Sequence, residues 1–129
     1  MDRQTAVSVD SSGSAPAAVS AQLLDLKHLN HQTLGDVNLR RIVLGLFLDE
    51  APQYAANLRT AANRKAWHMA VHTLKGVALN LGAFKLAALC KHHEGLDVAA
   101  GIARQHTAAH AIAGMIDDTV AAIRQTLSA

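Results

Sequence analysis

Apolar residues recur along this chain at intervals of three and four, which is the spacing of one face of an α-helix. The first long series follows Asp36, a residue type that favours helix N-caps. Pro52 lies inside this series and predicts a kink, or a break into two helices near Asp49, because proline lacks a backbone donor and crowds the preceding turn. The apolar positions of the series are Leu39, Ile42, Val43, Leu46, Phe47, Tyr54 and Leu58.

Further helices are predicted on both sides of this series. A brief one falls between Leu23 and Gly35, a third runs over about 65–81 with Gly82 as its stop, a fourth begins near residue 83, and the last covers about 103–127. No alternating strand pattern of useful length is present. Short connections between amphipathic helices favour an antiparallel up-down arrangement. The fold class is therefore predicted as all-α, a four-helix bundle with a short extra N-terminal helix.

Composition agrees with this prediction and sets the domain count. The 129 residues are half apolar but only 3% aromatic, so Ala and Leu must fill the core, which favours closely packed helices over a sheet. The length suits one domain. Residues 1–20 have no sustained period and are expected to form a disordered tail, with 21–129 as the helical domain.

Charge and cysteine content exclude several functions. Twelve Lys and Arg against ten Asp and Glu leave a net charge of +2 with no basic run, so nucleic acid is not an expected partner. No apolar run approaches the ~18 residues of a membrane span, and no secretory signal is indicated. The lone Cys90 excludes an intrachain disulfide framework and suits a reducing compartment. We expect a cytoplasmic monomer.

The third helix carries the candidate chemistry. On a helical wheel its apolar stripe contains Trp67, Ala70, Leu74, Val77 and Leu81. His72 lies almost opposite that stripe and should be exposed. The residues within roughly 60° of His72 on the same wheel are Lys65, His68, Lys75, Gly76 and Leu79.

These residue types suit a phosphoryl group carried on histidine. Neutral imidazole is a good nucleophile near neutral pH, and a group that holds Nδ1–H leaves Nε2 free to attack. Lys75 could balance the incoming anionic charge, Gly76 removes bulk where a partner would approach, and Leu79 offers an exposed apolar contact. No nucleophile-plus-base pair or metal-ligand trio for hydrolysis is visible beside them.

The extended motif resembles the histidine-containing phosphotransfer (HPt) domain of multistep two-component signalling. The residues that carry the resemblance are His72-Thr73-Leu74-Lys75-Gly76, Asn80-Leu81-Gly82-Ala83, Leu86, Cys90 and Glu94, with the weaker upstream run Phe47-Leu48-Asp49-Glu50-Ala51-Pro52. The resemblance spans about residues 24–127. Three positions depart from the family pattern: Leu79 stands where Gly or Ser is usual, Val77 stands where Ser or Ala is common, and His93 replaces a Leu, which could hold Glu94 less firmly.

The resemblance implies a phosphorelay shuttle and assigns the site. His72 would accept a phosphoryl group from a receiver domain's aspartyl phosphate and pass it to another receiver, with Lys75 as the nearby cation and Glu94 holding Nδ1–H. The expected partners are response-regulator receivers or a hybrid histidine kinase, which would bring Mg²⁺ and the catalytic carboxylates. The chain itself is expected to bind no cofactor or metal and to lack kinase activity, since no Gly-rich nucleotide loop is present. The candidate partner-binding residues are His68, Gly76, Leu79 and Asn80.

Two other functions remain open from the sequence. One is metal binding, because His68/His72 and His106/His110 are both i,i+4 pairs that a bundle could unite. The other is a helical adaptor without covalent chemistry. A tight metal site on the free protein, or normal signalling by a His72→Gln variant, would favour these alternatives.

Overall fold

The computed structural model describes residues 23–128, and within that range the chain is all-α. No strand occurs in these residues, so the predicted fold class is confirmed. The tail predicted for residues 1–20 lies outside the described residues. The helices are α1 (Leu26–Gln32), α2 (Val37–Thr60), α3 (Arg64–Leu81), α4 (Phe84–His93) and α5 (Ile102–Ser128), with a 3₁₀ turn at Val98–Ala100 before α5.

Side-chain caps fix where α2 and α3 begin. The Asp36 carboxylate accepts from the backbone N–H groups of Asn38 and Leu39, as the sequence predicts for the start of α2. Asn63 caps α3 in the same way, accepting from the N–H of Ala66 at 2.8 Å. Carbonyl groups at the end of α2 receive hydrogen bonds from another helix. The buried side chain of Gln105, in α5, donates to the carbonyls of Leu58 and Ala61.

Proline does not divide the second helix. α2 continues through Pro52 from Val37 to Thr60, so the predicted break near Asp49 is wrong. Pro52 is exposed, while Ala51 beside it and Leu58 further on are buried. Packing on both sides of the proline therefore outweighs the lost hydrogen bond and the steric crowding, which together cost about 3 kcal/mol inside a helix.

The four long helices pack around one core. α3 contacts α4, α2 contacts α5, and contacts of α2 with α3 and of α4 with α5 close the bundle. Few aromatic residues contribute, as the composition predicts, and most of the core is Leu, Ile and Ala. The largest fully buried side chains are Trp67, Phe47, Leu24, Leu29, Leu44, Leu58, Leu74, Leu81, Leu86, Ile112, Ile116 and Ile123. No described helix is both long enough and apolar enough to cross a bilayer.

The short first helix is attached at the end of α3 by a close backbone approach. Gly82 adopts a left-handed conformation (φ 82°) and ends α3, as predicted. Its carbonyl accepts a 2.9 Å hydrogen bond from the backbone N–H of Asp25, the residue that caps α1. A Cβ atom at Gly82 would lie only 2.7 Å from the Asp25 carbonyl oxygen, so this contact requires glycine.

One edge of α2 leaves apolar side chains in solvent. Leu39, Ile42 and Leu46 belong to the predicted apolar series but are exposed in the structure. Leu39 and Leu46 lie about 90° around the helix from buried Phe47, at the border of the face that packs on the core. The series is therefore wider than the surface that the other helices cover.

Candidate functional site

His72 projects from the middle of α3 into solvent. Its side chain is 62% exposed, which confirms the prediction from the helical wheel. Trp67, Leu74 and Leu81 are buried, also as predicted. The buried stripe is centred slightly differently than expected: it includes Val71 and Ala78, whereas Ala70 and Val77, which the wheel assigned to it, are only partly buried.

Glu94 joins His72 and Lys75 across two helices. It follows the last residue of α4, and its side chain is 19% exposed. One carboxylate oxygen, Oε2, lies 3.2 Å from Nδ1 of His72. The other, Oε1, accepts a 2.7 Å hydrogen bond from Nζ of Lys75. The contact with Nδ1 has the geometry that the resemblance implies for Glu94, while the ion pair with Lys75 was not foreseen from the sequence.

The carboxylate of Glu94 is held in its charged form. The hydrogen bond from Lys75 is the main reason that the pKa of Glu94 lies below its ordinary value, and the contact with His72 lowers this pKa further. Partial burial acts in the opposite direction but does not prevail. An ionised carboxylate therefore faces Nδ1 of His72 at neutral pH. No described residue pairs with the ring's other nitrogen, Nε2.

The end of α4 is anchored to α3 beside the site. Trp67 is fully buried, and its indole Nε1 donates a 2.8 Å hydrogen bond to the backbone carbonyl of His93. His93 itself is half-buried, and desolvation lowers the pKa of its ring, with the neighbouring His92 adding to the effect. The sequence could not foresee this anchor, because it depends on how α3 and α4 pack.

His68 lies one turn before His72 on the same face. The two rings stack, with centroids 5.7 Å apart and planes 10° from parallel. Nδ1 of His68 is 3.9 Å from Oε2 of Glu94, and the His68 side chain is 53% exposed. The sequence proposed His68 as a partner contact and, in the metal-binding alternative, as a ligand paired with His72. The structure in addition turns it toward the same carboxylate oxygen as His72.

Gly76, Leu79 and Asn80 provide open surface beside His72. A Cβ atom at Gly76 would meet no atom within 4 Å, so the space above this turn is free. Leu79 is 45% exposed. Asn80 lines a shallow groove between α2 and α3 whose other wall includes Leu46 and Val43. Leu46 of the exposed α2 edge and Asn80 of α3 therefore line the same groove.

One group of side chains in the described range has the composition of a metal site. His68, His72 and Glu94 each offer a ligand atom, and these atoms lie within 4.8 Å of one another. The metal-binding alternative from the sequence combined His68 and His72 with His106 and His110. The latter two histidines are not part of this group.

Cys90 is a core residue and is not part of the exposed face around His72. It is fully buried, and burial is the main cause that raises the pKa of its thiol from 9.0 to about 12, with the charge of Glu94 adding to it. The thiol is therefore protonated at neutral pH, as expected for a small core residue.

Comparison with known families gives an independent assignment. A family model described as Hpt domain matches residues 42–126, from the second turn of α2 almost to the end of α5. No significant match was found among curated proteins or solved structures. Hpt domains are helical bundles that carry out histidine phosphotransfer in phosphorelays with receiver domains and kinases. Because the match covers more than half of the chain and agrees with its helical architecture, the chain belongs to the Hpt-domain family.

Proposed function

We propose that His72 accepts a phosphoryl group from the aspartyl phosphate of a receiver domain and passes it to the aspartate of another. The observation that carries this proposal is the 3.2 Å contact between Nδ1 of His72 and Oε2 of Glu94 on an otherwise open ring. Among the histidines of the described chain, His72 combines this contact with the family motif His72-Thr73-Leu74-Lys75-Gly76.

The contact with Glu94 selects the reactive form of the ring. An ionised carboxylate beside Nδ1 favours the tautomer that carries its proton there, because that N–H can donate to Oε2. The lone pair of a neutral imidazole then lies on Nε2. No described residue forms a hydrogen bond with Nε2, so this nitrogen is available to attack an incoming phosphorus atom.

The transfer step is a displacement at phosphorus. The Nε2 lone pair of His72 forms the N–P bond while the bond between phosphorus and the aspartyl oxygen breaks, and that electron pair returns to the partner's carboxylate. Nδ1 keeps its proton throughout, so the ring gains positive character that the charge of Glu94 stabilises. The reverse displacement delivers the group to a second receiver, with Mg²⁺ and the carboxylates supplied by the receiver domain.

Lys75 supports this step through Glu94. Its Nζ lies 2.7 Å from Oε1, which fixes the carboxylate while leaving Oε2 directed at the ring. The same cation lies on the face where the phosphoryl group would arrive and would offset part of its negative charge. Alignment and electrostatics are what phosphoryl transfer chiefly requires of a protein.

The surface around His72 fits a protein partner better than a small molecule. It is a convex helix face with free space over Gly76 and exposed apolar side chains at Leu79 and Leu46. Exposed apolar groups of this kind reward association when a partner covers them. We propose that a receiver domain docks across α2 and α3, with His68 and Asn80 at its border.

Label transfer from a phosphorylated receiver tests the proposal. The chain, a His72→Gln variant and a His110→Gln control are each mixed with a labelled receiver, and label on each protein is followed over time. His110 is an exposed histidine of α5 and lies outside the site. We expect transfer to the parent and to His110→Gln and none to His72→Gln, whose fold is checked by circular dichroism.

Two outcomes would contradict the proposal. Acid-labile phosphate on folded His72→Gln would place the acceptor elsewhere. Normal signalling in cells by the same variant would favour the adaptor function, in which the bundle joins partners without covalent chemistry.

A further inference from the structure

We propose that His68, His72 and Glu94 form a binding site for a transition-metal ion of the Zn²⁺ class, and that metal occupancy and phosphorylation of His72 exclude each other. The first half of this proposal stands on geometry alone. The second half rests on the proposed role of His72 as phosphoacceptor.

The spacing of the three ligand atoms fits a metal ion. Zn²⁺ binds imidazole nitrogen and carboxylate oxygen at about 2.0–2.2 Å, so two ligands of a tetrahedral site lie about 3.3–3.5 Å apart. Oε2 of Glu94 is 3.2 Å from Nδ1 of His72 and 3.9 Å from Nδ1 of His68, and all three ligand atoms fall within 4.8 Å. Both histidine side chains are mostly exposed, so small rotations can complete the approach.

The helical arrangement supplies the site with little reorganisation. His68 and His72 are one turn apart on α3 and their rings already lie nearly parallel, and Glu94 reaches them from the end of α4. Two histidines and one glutamate are a ligand set that zinc proteins use when a fourth position is left open for water. Here the exposed side of the site would hold that water.

The donor set also selects among metals. Imidazole nitrogen suits Zn²⁺, Cu²⁺ and Ni²⁺, whereas Mg²⁺ prefers an all-oxygen octahedral shell. Lys75 bonds Oε1 and leaves Oε2 for the metal, but its positive charge weakens cation binding. The site should therefore bind Zn²⁺ more weakly than a structural zinc site and should not respond to Mg²⁺ at the concentrations that phosphotransfer needs.

Metal at Nδ1 would disable the nucleophile through the ring's tautomer. A neutral imidazole carries one proton, and coordination of Nδ1 moves that proton to Nε2. The lone pair of Nε2 is then used in an N–H bond and cannot attack phosphorus. The metal would also compete with Nδ1–H for Oε2 of Glu94, the contact that favours the reactive tautomer.

Calorimetric titration of the full chain with ZnCl₂ tests the site without any receiver. The parent is compared with His68→Gln and with the double variant His106→Gln/His110→Gln, which removes the other i,i+4 histidine pair, on α5. We expect one Zn²⁺ per chain for the parent and the double variant, and at least about tenfold weaker binding for His68→Gln. The proposed site would be overturned if the parent bound no stoichiometric Zn²⁺, or if His68→Gln bound Zn²⁺ with the same affinity as the parent. It would also be overturned if only the double variant lost Zn²⁺ binding.

Nitrogen NMR of the ¹⁵N-labelled histidine rings tests the exclusion. Without metal, the His72 ring should carry its proton on Nδ1, and at saturating Zn²⁺ it should carry it on Nε2. A His72 ring that keeps Nδ1–H when one Zn²⁺ is bound would overturn the second half of the proposal. Failure of His72 to accept label in a metal-free assay would instead count against the proposed function and leave the zinc titration unaffected.

Discussion

The indole of Trp67 and the backbone of His93 share a 2.8 Å hydrogen bond that joins α3 to the end of α4. Trp67 is fully buried, and His93 immediately precedes Glu94, so the bond fixes the backbone from which the Glu94 carboxylate projects. The family resemblance suggested that histidine in place of leucine at position 93 would loosen this region. The anchor uses the carbonyl of residue 93 and does not depend on its side chain.

Replacing the indole should therefore affect both stability and the site. Trp67→Phe keeps an aromatic side chain but removes the indole donor, so the carbonyl of His93 keeps only its 3.2 Å hydrogen bond from the backbone N–H of Leu96. The loss of one hydrogen bond should lower the free energy of unfolding by about 1 kcal/mol. Lost ring volume adds to this. Chemical denaturation measures the first effect. If the anchor positions Glu94, phosphotransfer to the folded variant is also slower, whereas unchanged stability would show that the bond contributes little.

Gly76 offers a test in which stability and function move in opposite directions. A Cβ atom there meets nothing within 4 Å, so Gly76→Ala should stabilise α3 by about 1 kcal/mol, the helix propensity difference. The added methyl group occupies space that a docking receiver would use. We expect a higher unfolding midpoint together with slower transfer from a labelled receiver.

Gly114→Ala is the matched control for that experiment. Gly114 lies within α5, is exposed, and likewise has nothing within 4 Å of an added Cβ. The control should gain similar stability and transfer at the parent rate. Equal transfer rates for Gly76→Ala and the parent would remove Gly76 from the docking surface.

Local features of this fold and site could be predicted from the sequence, whereas features that depend on packing could not. The exposure of His72, the cap at Asp36 and the stop at Gly82 follow from helical periodicity and from single residue types. The pairing of Lys75 with Glu94 depends on the rotation of α4 against α3, which no local pattern encodes.

The exposed edge of α2 shows the same limit. Periodicity marks Leu39 and Leu46 as apolar but does not say how much of the apolar face the neighbouring helices cover. The continuity of helix α2 through Pro52 is likewise decided by the buried residues on both sides of it.

Removing the Lys75 ammonium should slow transfer more than it weakens docking. Lys75→Ala deletes a charge-assisted hydrogen bond to Glu94 and a cation near the arriving phosphoryl group, so transfer should fall about tenfold. The pKa of Glu94 should rise, because that hydrogen bond is the main cause of its lowered value. Lys91→Ala, at an exposed position of α4, removes the same charge as a control. Transfer rate and affinity for the receiver are measured for both variants. Equal transfer rates for Lys75→Ala and Lys91→Ala would show that the charge of Lys75 does not promote transfer.

Gly82→Ala should lower the free energy of unfolding. The residue has φ of 82°, which disfavours a side chain by about 1–2 kcal/mol, and a Cβ atom would also overlap the Asp25 carbonyl oxygen. Relief of that overlap requires α1 to move away from the end of α3. We expect the free energy of unfolding, measured by urea denaturation, to fall by about 2 kcal/mol or more. The control is Gly35→Ala, because Gly35 also has a positive φ but would have no atom within 4 Å of an added Cβ. The difference between the two variants separates the cost of the overlap from the cost of backbone strain. A smaller loss at Gly82 than at Gly35 would contradict the close approach.

The buried thiol of Cys90 predicts a pH dependence at the alkaline end. Its pKa is raised from 9.0 to about 12 in the folded state, chiefly by burial, so the folded protein holds this proton more tightly than the unfolded chain. The resulting stability is fully present below about pH 9 and is lost as the pH rises from 9 toward 12.

Comparison of the parent with a Cys90→Ala variant isolates the contribution of this thiol from those of all other groups. The variant should be less stable than the parent by a fixed amount below pH 9, because it leaves a small cavity, and this difference should shrink as the pH rises toward 12. Native Cys90 should also resist alkylation by iodoacetamide at pH 8 and react readily once the chain is unfolded in urea. A constant stability difference across pH 9–12, or rapid alkylation of the native protein, would show that the thiol is not enclosed in the core as the structure has it.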